Sequence, residues 1–87
     1  MLEYHAAYYQ EESGWYVVEV VDFPGVVSQG KTLKSARWMI RDALKQMAEV
    51  YVGQGQPLPL PNPRAREKKA DYFEPVRLSI RVHAAPA

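Results

Sequence analysis

The stretch Gly14-Trp15-Tyr16-Val17-Val18-Glu19-Val20-Val21-Asp22-Phe23-Pro24-Gly25-Val26-Val27-Ser28-Gln29-Gly30-Lys31-Thr32 decides the fold. Trp15–Val21 is β-branched and aromatic apart from Glu19, the composition of a strand half-buried on a pleated surface. Asp22-Phe23-Pro24-Gly25 then interrupts it, because Pro fixes φ and the following Gly allows the chain to reverse. Val26–Gln29 resumes as a short strand that ends at Gly30. Thr32 can cap a helix, its hydroxyl accepting from the amide of Lys34 or Ser35.

On the N-terminal side, Leu2–Gln10 alternates as a strand, with Tyr4, Ala6 and Tyr8 on one face and His5, Ala7 and Tyr9 on the other. Glu11-Glu12-Ser13-Gly14 is its turn into the next strand, which gives an antiparallel meander. On the C-terminal side, at about 100° per residue, Leu33, Ala36, Ile40, Ala43, Leu44, Met47 and Tyr51 share one stripe of an amphipathic helix over 32–52. Gly53 and Gly55 end the helix. The alternating prolines of Pro57–Pro63 dictate an extended connector, and Arg64–Tyr72 is a charged insertion. Val76, Leu78, Ile80 and Val82 alternate with Arg77, Ser79 and Arg81 as a one-sided last strand.

The order β-β-β-α-β is that of an α+β domain with one long helix on one face of a four-stranded sheet. With the helix as crossover, the last strand is expected beside the first and parallel to it, giving a mixed sheet of order 3-2-1-4. That arrangement looks like the first part of a ribonuclease H-like fold. The expected division is one domain over 1–87: meander 1–30, helix 32–52, connector and insertion 53–75, last strand 76–83. No C-terminal DNA-binding module fits in what remains.

The chain has 87 residues, 47% hydrophobic and 24% charged, with a net charge of +1 and no cysteine. That composition excludes a disulfide framework, a thiol nucleophile and a Cys-based zinc site. No apolar run approaches the roughly 20 residues of a membrane span and no signal segment opens the chain, so a cytoplasmic protein is expected. Charge is unevenly placed. Residues 1–30 hold five carboxylates and no Lys or Arg, whereas all eleven basic residues fall in 31–87. Such a division can mark a phosphate-binding face, or simply charges that meet within the fold or across subunits.

Two surfaces point outward. The sheet face away from the helix carries Ala7, Tyr9, Trp15, Val17 and Val21, more contiguous apolar surface than a small monomer leaves wet. On the helix, Trp38 lies opposite the apolar stripe, beside Lys34, Arg41, Asp42 and Lys45. It either anchors an interface or stacks on the Arg41 stem. Trp38, Arg41, Tyr9, Trp15 and Val17 are therefore the candidate residues for a partner or for a homo-oligomer, dimer or tetramer. Arg64, Arg66, Lys68 and Lys69 form the densest basic run, with Tyr72 and Phe73 nearby for base stacking. It reads equally as a solvated loop, so RNA binding is a third reading.

The motif Gly14–Gly25 followed by Gln29-Gly30-Lys31-Thr32, the helix with Ala36 and Ala43, and the tail Gly55-Gln56-Pro57-Leu58-Pro59-Leu60-Pro61 together resemble the HicB-type antitoxin family. Asp22, Pro24, Gly25, Gly30 and Thr32 are the motif positions. The resemblance covers 2–61 and the last strand. It implies a partial ribonuclease H-like domain that binds and blocks a HicA-type toxin, an mRNA-cleaving ribonuclease. The sequence departs from the family pattern in Val21, where Pro is usual, in Ser35, where an acidic residue usually completes the capping box, and in the insertion 64–72. A stand-alone oligomer is the alternative.

Enzymatic constellations are wanting. A ribonuclease H-type centre needs several carboxylates converging on two metal ions, yet the first strand offers Glu3, the helix offers solvent-side Asp42 and Glu49, and the last strand offers none. His5 and His83 sit at far ends of strands read as parallel, too distant to share a metal. Gly30-Lys31-Thr32 has no phosphate-loop context, and no serine lies in a nucleophile elbow. No catalytic residue, metal or cofactor is expected.

Overall fold

The computed structural model describes residues 2–79. In chain order it contains β1 (Leu2–Gln10), β2 (Tyr16–Val20), β3 (Val27–Gly30), α1 (Leu33–Gly53) and β4 (Tyr72–Leu78). The strands form one sheet of order β3-β2-β1-β4, as the sequence predicts. Tyr4, Ala6 and Tyr8 of β1, Val18 and Val20 of β2, and Val76 and Leu78 of β4 face α1 and meet Ala36, Ile40, Leu44 and Ala48 in one buried core. Ala48 is absent from the expected stripe, whose Leu33, Ala43, Met47 and Tyr51 pack around the core half-buried.

The direction of the last strand corrects the sequence reading. β4 runs antiparallel to β1, with Leu2 opposite Leu78 and Tyr8 opposite Tyr72, so the sheet is antiparallel rather than mixed. The cause lies in the connector. α1 brings the chain to the end of the sheet where Tyr51 packs edge-on against Phe23 at 5.3 Å. A strand starting there would run parallel to β1. Instead Leu58 packs against the core, the Tyr4 hydroxyl donates to the Pro59 carbonyl at 2.7 Å, and the chain travels back to the opposite end. There the Asp71 amide donates to the Tyr8 carbonyl at 2.8 Å, and β4 enters from the far side.

β4 also begins earlier than expected, at Tyr72 rather than Val76, and takes in Pro75. A proline is tolerated because β4 is an edge strand and need not donate outward. The expected continuation over 80–83 lies outside the described residues.

The turn at Asp22–Gly25 reverses the chain as predicted, with Gly25 at φ +91°. Its Phe23 is fully buried, between Tyr4 and Tyr51. The helix start is equally specific. Thr32 caps it, its Oγ1 accepting from the Ser35 amide at 3.0 Å while Ser35 Oγ accepts from the Thr32 amide at 3.0 Å. A serine thus closes the reciprocal box that an acidic side chain usually closes. Gly30 is required by proximity: a Cβ there would lie 2.5 Å from the Ala36 amide nitrogen and 2.8 Å from its Cα.

Candidate functional site

The motif residue Asp22 is a structural knot. Its side chain is only 4% exposed. Oδ1 accepts from the His5 amide at 2.8 Å, and Oδ2 accepts from the Asn62 amide at 2.9 Å and lies 2.8 Å from His5 Nδ1. Burial is the largest single influence on this carboxyl and pushes its pKa up, but the hydrogen bonds from His5 and Asn62 together outweigh it and hold it below the usual value. One side chain therefore ties the turn to β1 and to the connector. Pro24 and Gly25 shape the same turn and are exposed, whereas Gly30 and Thr32 serve the helix start.

The sheet face away from α1 is less bare than the sequence suggests. The connector enters at Asp22 and leaves at Tyr8, crossing this side. Phe73 stands opposite Ala7 in the β4 register and stacks on His5 at 5.8 Å between ring centroids, and Ala7 is fully buried. Tyr9 is half-buried, its hydroxyl donating to Glu19 at 2.9 Å. Desolvation first, then the Glu19 hydrogen bond and the charges of Glu19 and Glu67, push its pKa up to about 12. Trp15 lies under the Lys31 ammonium, 5.7 Å from the ring centroid. Val17 is half-buried beside them. The structure gathers Tyr9 and Val17 on adjacent strands, but it leaves Trp38 and Arg41 on the opposite, helical side of the molecule.

That helical side holds the accessible pair. Trp38 is 59% exposed and, with Arg41, Asp42 and Lys45, lines a shallow surface groove. Arg41 also borders a larger groove of about 460 Å³, shared with Tyr8, Arg37, Glu74 and Arg77. Arg37 is committed there: its Nε and Nη2 donate to the two Glu74 oxygens at 2.7 and 3.1 Å and fasten α1 to β4. Among the described residues Arg41 makes no ion pair. The geometry offers an indole and a guanidinium side by side in solvent, the pairing that dominates binding hot spots.

The basic run Arg64, Arg66, Lys68 and Lys69 is exposed along the connector. Its backbone is set by local turns, such as the Arg64 amide on Asn62 Oδ1 at 2.9 Å and the Lys69 amide on Glu67 Oε1 at 3.1 Å. The aromatics expected beside it lie in β4 instead: Phe73 is committed to His5, and Tyr72 tilts against Tyr16 at 6.2 Å. Basic run and stacking rings are thus not joined in one groove. Among the described residues no three His, Asp or Glu side chains stand close enough to hold a metal ion, and His83 lies outside them. No helix among them is long and apolar enough to cross a membrane.

Sequence reasoning missed a second exposed patch. Val27 beside α1 and Met39 and Val50 on its flank are exposed, and Val27 and Val50 border a groove of about 280 Å³ with Val26, Ala43 and Met47. The spacing of Met39, Ala43, Gln46 and Val50 is the signal that would have found the helical part of it.

Compared with known proteins, residues 3–83 match the family described as HicB_like antitoxin of bacterial toxin-antitoxin system. The chain belongs to the HicB-like antitoxin family. Solved HicB structures share its fold. The N-terminal domain of Burkholderia pseudomallei antitoxin HicB matches with a TM-score of 0.77 at 24% identity, over 91% of this chain and 100% of that one. The Burkholderia pseudomallei antitoxin HicB itself matches at 0.74 and 22% identity, over 100% and 76%. A chain of the HicA3 and HicB3 toxin-antitoxin complex matches at 0.70 and 18% identity, over 91% and 100%. No curated protein sequence matches. The expected HicB-like fold is thereby met, with β4 reversed from the direction the sequence suggested.

Proposed function

We propose that this HicB-like domain acts in the cytoplasm by binding and occluding a HicA-type toxin, an mRNA-cleaving ribonuclease, without catalysing a reaction itself. Family membership over residues 3–83 is the observation that carries the reading, and likeness to a chain solved within a toxin-antitoxin complex supports it. We assign the contact to the α1 surface around Trp38 and Arg41. Trp38 leaves most of a large apolar ring in solvent, and Arg41, which makes no ion pair among the described residues, is placed to pair with a carboxylate of the toxin. The carboxylates available on the described strands and helix are dispersed or already bonded to neighbours, which supports a binding role over a nuclease one.

The test is solution mass by light scattering, for the chain alone and mixed with a catalytically inactive HicA-type protein from the same genome. A defined mixed complex is expected, and Trp38→Asp is expected to abolish it while leaving the circular dichroism spectrum unchanged. Two separate species at micromolar concentrations would refute the antitoxin reading. A complex that survives Trp38→Asp would move the contact off this face.

A further inference from the structure

Nucleic-acid binding needs cations for phosphates and an aromatic face for bases. Along the connector the two are separated, since Arg64, Arg66, Lys68 and Lys69 are exposed while Phe73 stacks on His5 and Tyr72 tilts against Tyr16. On α1 they coincide. At about 100° per residue, Lys34, Trp38, Arg41 and Lys45 fall within about 60° of one another, on a stripe about 16 Å long. All four side chains are exposed. Among the described residues none of the three cations is in an ion pair, and the indole stands between the first of them and the other two.

Two carboxylates of α1 border the stripe. Asp42 lines the same shallow groove as Trp38, Arg41 and Lys45; it is half-buried, and its Oδ2 accepts from Gln46 Nε2 at 2.8 Å. Glu49 stands one turn beyond Lys45 and closes that end. The three cations outnumber them, though by little, so stacking must contribute as much to binding as charge does. Arg41 also opens on the groove of about 460 Å³ that holds Arg37 and Arg77. Those two are paired with Glu74 and Glu3 and bring no net charge.

We infer that this stripe of α1 binds single-stranded nucleic acid, with one base stacked on Trp38 and phosphates held by Lys34, Arg41 and Lys45. Cations repeated around an indole match a ligand that itself repeats a charge and a ring, as a nucleotide strand does. The indole accepts any base, because every base has a π-face. Phosphates and base faces are common to RNA and DNA, so the mode suits either strand. In a duplex the bases are stacked on each other and closed to the indole. Toxin and strand would use the same Trp38 and exclude one another. The inference does not rest on the toxin reading, and its test contains no toxin.

The experiment is fluorescence anisotropy of labelled oligo(U) and oligo(dT), each about 12 nucleotides long, titrated with the full chain. Binding is expected at about 50 mM salt and should weaken by about fifteen- to twentyfold at about 200 mM, the slope of three phosphate contacts on a single strand. Tighter binding of oligo(U) would identify RNA as the source of the strand, and tighter binding of oligo(dT) would identify DNA. Trp38→Ala should weaken binding at least about fivefold with the salt slope unchanged, and Trp38→Phe should recover most of the loss. Lys34→Gln with Lys45→Gln should remove about two thirds of the salt slope. Lys68→Gln with Lys69→Gln, on the connector, should change neither. All these side chains are exposed, so the fold is not at stake. No binding at about 50 mM salt, an affinity unmoved by Trp38→Ala, a loss in the connector variant, or tighter binding of a duplex of the same length would each overturn the inference.

Discussion

Replacing Gly30 by alanine should be among the most damaging single-methyl additions in the chain. Gly30 ends β3 where the backbone passes directly under the first turn of α1, and an added Cβ would sit 2.5 Å from the Ala36 nitrogen, 2.5 Å from Ser35 Oγ and 2.8 Å from Ala36 Cα. Two of those three atoms are backbone, so no rotamer change relieves the contact. The first turn must lift by about an ångström to reach ordinary van der Waals separation. Overpacking of this kind costs about 1–3 kcal/mol, and lifting the turn also disturbs the Thr32–Ser35 box, a cap worth about 1 kcal/mol. A loss of about 2–4 kcal/mol is expected from a domain of about 4–13 kcal/mol. Since about 1 kcal/mol moves the midpoint of a domain this size by about 4–8 °C, the melting temperature should fall by at least about 8 °C. Thermal unfolding by far-ultraviolet circular dichroism reads it directly. Gly53→Ala is the control, because nothing lies within 4 Å of its added methyl; it should leave stability unchanged or raise it slightly. Equal melting temperatures for Gly30→Ala and wild type would refute the close-approach argument.

Two further outcomes follow from the knot and from the core. Against the upward push of burial, the hydrogen bonds from His5 and Asn62 hold the Asp22 carboxyl below the usual aspartate range in the folded chain, so its contribution to stability is full above that range and fades as pH falls through the folded value. Asp22→Asn should flatten the acid limb of a stability-against-pH curve measured by urea unfolding, and an unchanged limb would show that another group dominates it. Phe23→Ala, at a fully buried ring between Tyr4 and Tyr51, should cost about 3–5 kcal/mol and lower the urea midpoint accordingly; a shift worth under about 1 kcal/mol would mean that the turn collapses to fill the space.

Local signals carried the meander, the helix and the sheet order. Alternation in Leu2–Gln10, the Asp22–Gly25 turn and the Thr32 cap each act over a few residues, and each appears where the pattern puts it. What escaped was set by distant contacts. No local feature of the connector announces that Tyr4 will hold Pro59 and Asp22 will hold Asn62, yet those bonds decide which end of the sheet β4 enters. Pro75 hid the start of β4, since a proline argues against a strand unless the strand is known to be an edge. Phe23 was hidden in a turn motif, where residues are ordinarily exposed. The candidate surface was legible in part: Trp38 and Arg41 stand in solvent as their helical phase predicts, while the Lys31 ammonium over Trp15 and the Glu19 bond to Tyr9 are contacts that the alternation of single strands does not announce.

The pairing of the first strand with the last has a consequence for biosynthesis. Leu2 and Leu78 are register partners, so the sheet cannot close until Leu78 has left the ribosome. Until then the meander and α1 must wait with the β1 edge open and with Tyr4 and Tyr8 lacking the cover of Val76 and Leu78. A translation product stopped before Tyr72 would present that edge permanently, as a template for aggregation. The sheet therefore closes in one step, when β4 arrives.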